Sequence, residues 1–250
     1  MAYILIVLFI ALVALLISYY EYWGIGPQKG IVRRIPKKKG KYVALTFDDG
    51  PSKEYTPAIL EILKSRDVKA SFFVTGKMVE RYPDIVKRMA DEGHDIGNHT
   101  YDHFNLILLS NSRVEEQIEK GEDAIKSITG IKPALFRPPR CLMNKRIRTM
   151  ILTKGYQIVL WSVSAADWGP LKARGIAFRV CHFVRPGRII LLHDGGSLVG
   201  SEGGDRSDTV NALPVILDRL IQKGYKIVPA SELIRLAETA DEISCLDQAS

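Results

Sequence analysis

From Lys41 onward, short apolar runs alternate with longer amphipathic segments, the signature of strands and helices taking turns around a parallel sheet. The predicted strands are 42–47, 70–74, 94–98, 134–137, 157–161, 188–193 and 226–228. Thr56 reads as a helix N-cap with Pro57 in the first turn, and Ile59, Leu60 and Leu63 follow at helical spacing. Further helices are predicted at 83–92, 112–128, 144–154, 208–223 and 230–238. One corner recurs: in Glu92-Gly93-His94, Lys154-Gly155-Tyr156 and Lys223-Gly224-Tyr225, a glycine suited to a left-handed backbone ends a helix and leads into a strand. The expected fold class is therefore α/β, a distorted (β/α) barrel with about seven parallel strands.

The N-terminus breaks this pattern. Residues 3–20 carry no charge and are rich in Leu, Ile, Val and Ala, enough for ~27 Å of helix at about 1.5 Å per residue. Tyr19, Tyr20, Tyr22 and Trp23 follow as an aromatic belt. No basic side chain precedes the run and no small-x-small site ends it, so an uncleaved N-terminal transmembrane helix is expected rather than a signal peptide. The expected organisation is a membrane anchor at 1–24, a basic linker at 25–40, a catalytic domain at 41–239 and a C-terminal tail at 240–250. The expected location is the cell membrane, single-pass, with the catalytic domain outside the cytoplasm. The positive-inside bias of Lys29, Arg33, Arg34, Lys37, Lys38, Lys39 and Lys41 points the other way.

Composition narrows the partners. At 250 residues the chain can bury one large core. The formal charge of +7 is concentrated in the linker, which suits anionic headgroups or wall polymer. No RNA or DNA motif occurs, and no nucleic-acid partner is expected. Cys141, Cys181 and Cys245 are odd in number and lack CxxC spacing, so neither a disulfide framework nor a zinc knuckle is implied. A monomer is the expected state.

The predicted strand ends then acquire chemistry. Asp48 and Asp49, closed by Gly50-Pro51, would alone read as a solvated turn. His99 and His103 lie just past the third strand, and a helical turn there would aim both imidazoles one way. Two neutral imidazoles and one carboxylate with open positions suit zinc or a similar divalent ion, leaving a second carboxylate as base. A two-histidine, one-carboxylate iron oxygenase uses the same donors but gives no role to the second carboxylate or to His193. Arg137 ends the fourth strand, where it could pair with an acid and orient it. Pro138 and Pro139 lack N–H groups, so Arg140 supplies the first backbone donor after it, a candidate for an oxyanion. Asp167 follows the fifth strand and could orient His193 at the end of the sixth. His94 and His182 have no such company and read as structural. All the candidates fall at C-terminal ends of predicted strands, which share one face of a parallel barrel.

In order, Thr46-Phe47-Asp48-Asp49-Gly50-Pro51, His99-Thr100-Tyr101-Asp102-His103, Arg137-Pro138-Pro139, Asp167-Trp168 and Leu191-Leu192-His193-Asp194 resemble the five motifs of the polysaccharide deacetylases. This is the NodB-homology group, carbohydrate esterase family 4, and the resemblance covers about residues 41–238. It implies a metal-dependent hydrolase of linear amides that removes N-acetyl groups from N-acetylhexosamines, with peptidoglycan the expected glycan. By resemblance, Asp49, His99 and His103 hold one divalent metal, zinc foremost, with cobalt, nickel or manganese as alternatives. Asp48 is the base, Arg137 orients it, His193 is the acid and Asp167 tunes His193. Arg140, Trp168 and Leu191 would contact substrate. In the third motif Arg140 and Cys141 stand where the family usually has an aromatic residue and a glycine, which alters the groove wall. Other readings of the chain are a deacetylase or deformylase of a lipid-linked sugar, and a catalytically silent membrane-anchored glycan-binding protein.

Overall fold

A strand buried on both faces belongs in the middle of a parallel sheet, and Tyr42–Asp48 is buried at every position after Tyr42. The computed structural model describes residues 5–13, 16, 30–36, 40–196, 200 and 202–246. Among these, the strands are β1 Ile31–Val32, β2 Tyr42–Asp48, β3 Ser71–Val74, β4 Asp95–Asn98, β5 Leu135–Phe136, β6 Gln157–Val159, β7 Val163–Ser164, β8 Ile189–His193 and β9 Lys226–Val228. The helices that position the site are α1 Tyr55–Lys64, α2 Gly76–Arg81, α3 Pro83–Asp91, α4 Asn111–Thr129, α5 Lys145–Thr153, α6 Ala173–Phe183, α7 Ser207–Gln222 and α8 Ala230–Leu246.

The sheet runs β1-β6-β5-β4-β3-β2-β8-β7, with β9 paired to the start of β2, and every strand pair is parallel. β6 and β7 lie near opposite ends of that order, yet only Leu160, Trp161 and Ser162 separate them in sequence. So short a connection forces the sheet to roll up, giving a half-barrel that the chain itself bridges. The strand expected over 157–161 is thus broken, and nine strands are present among the described residues where about seven were expected.

Alternation along β2 divides its side chains between two faces. Val43, Leu45 and Phe47 join the outer core with Ile59, Leu60 and Leu63 of α1 and Leu213, Ile216 and Leu217 of α7. Phe47 stacks on Phe72 with ring centroids 5.1 Å apart, and burying each ring contributes about 1.5–3 kcal/mol. Ala44 faces the other way, packed with Phe73, Ile189 and Leu191. Thr46 and Asp48 share that inner face, which carries the polar residues toward the C-terminal ends of the strands.

All three glycine corners adopt the expected geometry, with φ of 79° at Gly93, 83° at Gly155 and 75° at Gly224. In each, the residue after the glycine donates back to the last turn of the helix, as His94 does to the Met89 carbonyl at 3.0 Å.

Several expectations are corrected. Thr56 does not cap α1: Ser52 Oγ accepts from the N–H groups of Tyr55 and Thr56 at 3.1 and 3.2 Å, and Thr56 is buried inside the helix. Part of the expected linker is built into the sheet, with Ile31 and Val32 paired to Ile158 and Val159 and Ile35 buried. The expected tail is helical to Leu246. The helix α6 was not anticipated; its buried Ile176, Ala177 and Val180 are interleaved with exposed Phe178 and Phe183, which blurs the apolar stripe. Of the N-terminal apolar run, residues 5–13 are helical and exposed, and most of the rest lies outside the described residues. Among the described residues no helix is long and apolar enough to cross a membrane.

Candidate metal and active site

The inner face of β2 ends in Asp48, and the chain turns out of the strand at Asp49 through a left-handed backbone, φ 74°. The two neighbouring acids therefore leave the strand in different directions. Arg137, fully buried, donates from Nη1 to Asp48 Oδ1 at 2.5 Å and to Thr46 Oγ1 at 2.8 Å. Its Nε donates to the Val159 carbonyl at 2.9 Å, and its guanidinium lies 3.9 Å from the centroid of the Phe73 ring. Space for that ring comes from Gly97, where a Cβ would lie 2.5 Å from Phe73. One side chain thus uses β2, β3, β5 and β6 to fix a single carboxylate.

His99 and His103 come together without a helix. The segment is irregular, with positive φ at Thr100 (68°) and His103 (61°), and the two rings sit 5.0 Å apart. Thr100 Oγ1 accepts from the His103 N–H at 3.2 Å, and Asn98 Oδ1 accepts from the Thr100 N–H at 2.8 Å. Side-chain bonds to the backbone hold the loop in place of helical bonding.

His99 Nδ1 lies 2.6 Å from the Arg137 carbonyl. A carbonyl only accepts, so Nδ1 carries a proton and Nε2 is the nitrogen left to face the cluster. That Nε2 is 3.4 Å from Asp49 Oδ1, and His103 Nε2 is 3.1 Å from the same oxygen. Ligand atoms of Asp49, His99 and His103 all lie within 4.8 Å of one another. Asp49 Oδ1 is buried and accepts no hydrogen bond among the described residues. Burial lowers His103 to about 4, so it is neutral at physiological pH. Burial alone would raise Asp49, but the imidazoles of His99, His103 and His193 hold it far below the usual carboxylate range. Two imidazole nitrogens and one carboxylate oxygen, buried and converging, fit a divalent cation of the zinc class.

β8 brings His193 beside Asp48, its register partner across the sheet. His193 Nδ1 is 2.8 Å from Asp167 Oδ1, while Asp167 Oδ2 accepts from the His193 N–H at 2.7 Å and from Thr209 Oγ1 at 2.9 Å. Burial would lower His193, yet Asp167, with help from Asp49 and Asp48, raises it to about 9. The imidazole is accordingly protonated at neutral pH, with Nδ1–H donated to Asp167.

The glycines after His193 pack against Asp49. A Cβ on Gly196 (φ 69°) would lie 2.4 Å from Asp49 Oδ2, so the bare backbone packs directly against that carboxylate. Arg206, buried, donates to the carbonyls of Gly195 and Gly196 at 2.9 Å each and of Asp167 at 3.3 Å, tying the two loops together. Asp194 tucks under Gly50, accepts from Thr56 Oγ1 at 2.6 Å, and is raised to about 7 by burial, with Asp49 and Asp48 adding to the rise.

Sequence reasoning assigned no role to Arg206, Thr209, Thr46 or Asp194. Arg206 is a lone cation in a glycine-rich loop, and nothing local marks it as buried. The substrate candidates separate: Trp168 is 44% exposed, whereas Leu191 is 3% exposed on the inner face of β8. Arg140 adopts φ 54° in the turn Pro139–Cys141, its side chain reaching the His103 carbonyl at 3.4 Å. His94 is structural as expected, its Nδ1 accepting from the Ala70 N–H at 3.1 Å. The loop 195–208 is only partly described, residues 197–199 and 201 lying outside.

Comparison with known proteins agrees with this geometry. A sequence profile described as polysaccharide deacetylase matches residues 36–159. A peptidoglycan-N-acetylglucosamine deacetylase of Bacillus cereus is 40% identical over 197 residues, covering 78% of this chain and 89% of its own length. A peptidoglycan-N-acetylmuramic acid deacetylase of Bacillus subtilis is 37% identical over 159 residues, 62% of this chain and 60% of the relative. The crystal structure of the Bc1960 peptidoglycan N-acetylglucosamine deacetylase, solved with 4-naphthalen-1-yl-N-oxidanyl-benzamide, superposes with a TM-score of 0.77 at 37% identity, covering 82% of this chain and 92% of that one. The chain belongs to the polysaccharide deacetylase family.

Proposed function

We propose that the chain is a metal-dependent N-deacetylase of N-acetylhexosamine residues in a cell-wall glycan, peptidoglycan foremost. The observation that carries this reading is the contiguity of three units: the Asp49/His99/His103 cluster, the Arg137-held Asp48 beside it, and the Asp167-held His193 on the adjacent strand. Asp49, His99 and His103 would hold a divalent cation, which would supply Lewis acidity for a water and for the acetamide carbonyl. Asp48, oriented by Arg137, takes the proton of the attacking water. His193, protonated through Asp167, gives its Nε2 proton to the departing amine as the C–N bond breaks, so acetate and a free amino sugar leave. The N–H of Arg140 is our candidate for an additional oxyanion donor. Trp168 at the exposed mouth offers an aromatic face to a sugar ring, and Leu191 a buried apolar floor.

Acetate release from peptidoglycan and from N-acetylated chitooligosaccharides tests the reading. Release from either, abolished by chelation and restored by a divalent ion, is expected; a metal-loaded protein that releases no acetate from any glycan would count against it and favour a binding role.

The anchor belongs to the same proposal. Helical residues 5–13 leave Leu5, Ile6, Leu8, Phe9 and Ile10 more than half exposed, a run that lipid would cover. We place the domain on the outer side of the membrane, where the wall glycan is. Protease accessibility on intact cells reads the sidedness, and a domain protected from external protease would refute it.

A further inference from the structure

Just after His103 the chain carries an exposed apolar rim that catalysis does not use. Directly after His103, Phe104 is 45% exposed, Ile107 42% and Leu108 78%. Leu106, between them, is fully buried and roots the turn Leu106–Leu108 in the core. Ile107 and Leu108 are therefore presented by a fixed turn, with Phe104 just before it. Cations flank them. Arg140 reaches the His103 carbonyl at the start of the rim, Arg146 reaches the Leu109 carbonyl at its end at 3.2 Å and also bonds Asn111, and Lys145 beside it is exposed. Asp102, the acid nearest in sequence, is engaged by Gln117 through both its N–H and its carboxylate.

Exposed aliphatic side chains ringed by guanidinium and ammonium groups match the boundary of an anionic bilayer, where apolar atoms enter the acyl region and cations meet phosphate. A glycan surface would call instead for several aromatic planes and hydrogen-bonding groups; Phe104 offers one ring, while Ile107 and Leu108, the latter the most exposed, offer neither. We infer that residues 104–108, with Arg140, Lys145 and Arg146, form a docking surface for an anionic lipid membrane. The surface requires no assumption about the reaction, so its failure and the failure of the proposed activity are read separately.

Hydrogen exchange on the full chain bound to vesicles provides the test. Vesicle-bound chain is isolated by flotation before exchange, so local protection of the rim in the bound fraction is the readout. On phosphatidylglycerol-containing vesicles, amides of 104–109 should exchange about tenfold more slowly than on pure phosphatidylcholine, in line with burial of one or two aliphatic side chains. Leu108→Asp should restore fast exchange without changing metal content or the exchange of β2. Equal exchange on both vesicles, protection that survives Leu108→Asp, or protection by soluble glycan fragments without lipid would each overturn the inference.

Discussion

Arg137 fixes two members of the site with two parts of itself: its guanidinium holds Asp48 at 2.5 Å, and its carbonyl fixes the tautomer of His99 at 2.6 Å. The proposed base and one proposed metal ligand are thereby set by one fully buried residue. Arg137→Ala should leave the Asp48 carboxylate buried without its counter-charge and cost about 3–5 kcal/mol of stability. Arg137→Lys keeps the charge but loses the planar fork over Phe73 and should lower kcat by about tenfold to a hundredfold. Denaturant unfolding and steady-state kinetics on the two variants check this; wild-type kcat in Arg137→Lys would contradict it.

Gly196 bears on metal affinity. Its left-handed backbone and its contact with the Asp49 carboxylate leave no room for a methyl group. Gly196→Ala should push Asp49 out of line with the two imidazoles and weaken metal binding by about 10–100-fold. Competition with a chromogenic chelator measures it, and unchanged affinity would show that the loop yields freely.

The His193–Asp167 pair sets the alkaline behaviour. Burial works against the imidazolium, but Asp167 prevails and lifts the group from 6.5 to about 9. A raised folded-state pKa means that the stabilisation is complete below pH 6.5 and is lost as pH climbs through about 9. The alkaline limb of the activity profile should fall in that upper region, where the proton donor is lost. Asp167→Asn should move the limb down toward 6.5; a limb that stays put would remove Asp167 from this role.

His94 governs acid stability instead. Burial lowers it from 6.5 to about 4, and its ring stands edge-on to Phe72 at 5.3 Å. A depressed folded-state pKa gives stability that is full above pH 6.5 and declines as pH falls toward 4. The loss over that window is on the order of 3 kcal/mol. Urea unfolding from pH 7 to pH 4 should show a slope that His94→Gln reduces.

Much of this was legible in the chain because it was local. Glycine corners at Gly93, Gly155 and Gly224, apolar runs such as Tyr42 to Phe47, and polar residues at strand ends follow from backbone geometry and alternation. What escaped depends on contacts distant in sequence. Thr56 has the chemistry of a cap, but Ser52 does the capping and the Thr56 hydroxyl is committed to Asp194, 138 residues away. Arg206 is buried only because the carbonyls of Gly195, Gly196 and Asp167 meet there. His99 and His103 do converge, but through left-handed residues and side-chain bonds in place of the helical turn that their spacing suggested. Ile31 and Val32 look like linker until β6 is folded beside them.

The most direct measurement combines bound metal and acetate release for the wild type and Asp48→Asn. Asp48 accepts from Arg137 and lies 3.8 Å from His99 Nε2, outside the cluster formed by Asp49, His99 and His103. Its amide should therefore leave metal content at the wild-type level while acetate release from the glycan falls by a factor on the order of 10² or more. Full activity in Asp48→Asn, or loss of its metal, would contradict the division of labour between the two adjacent acids.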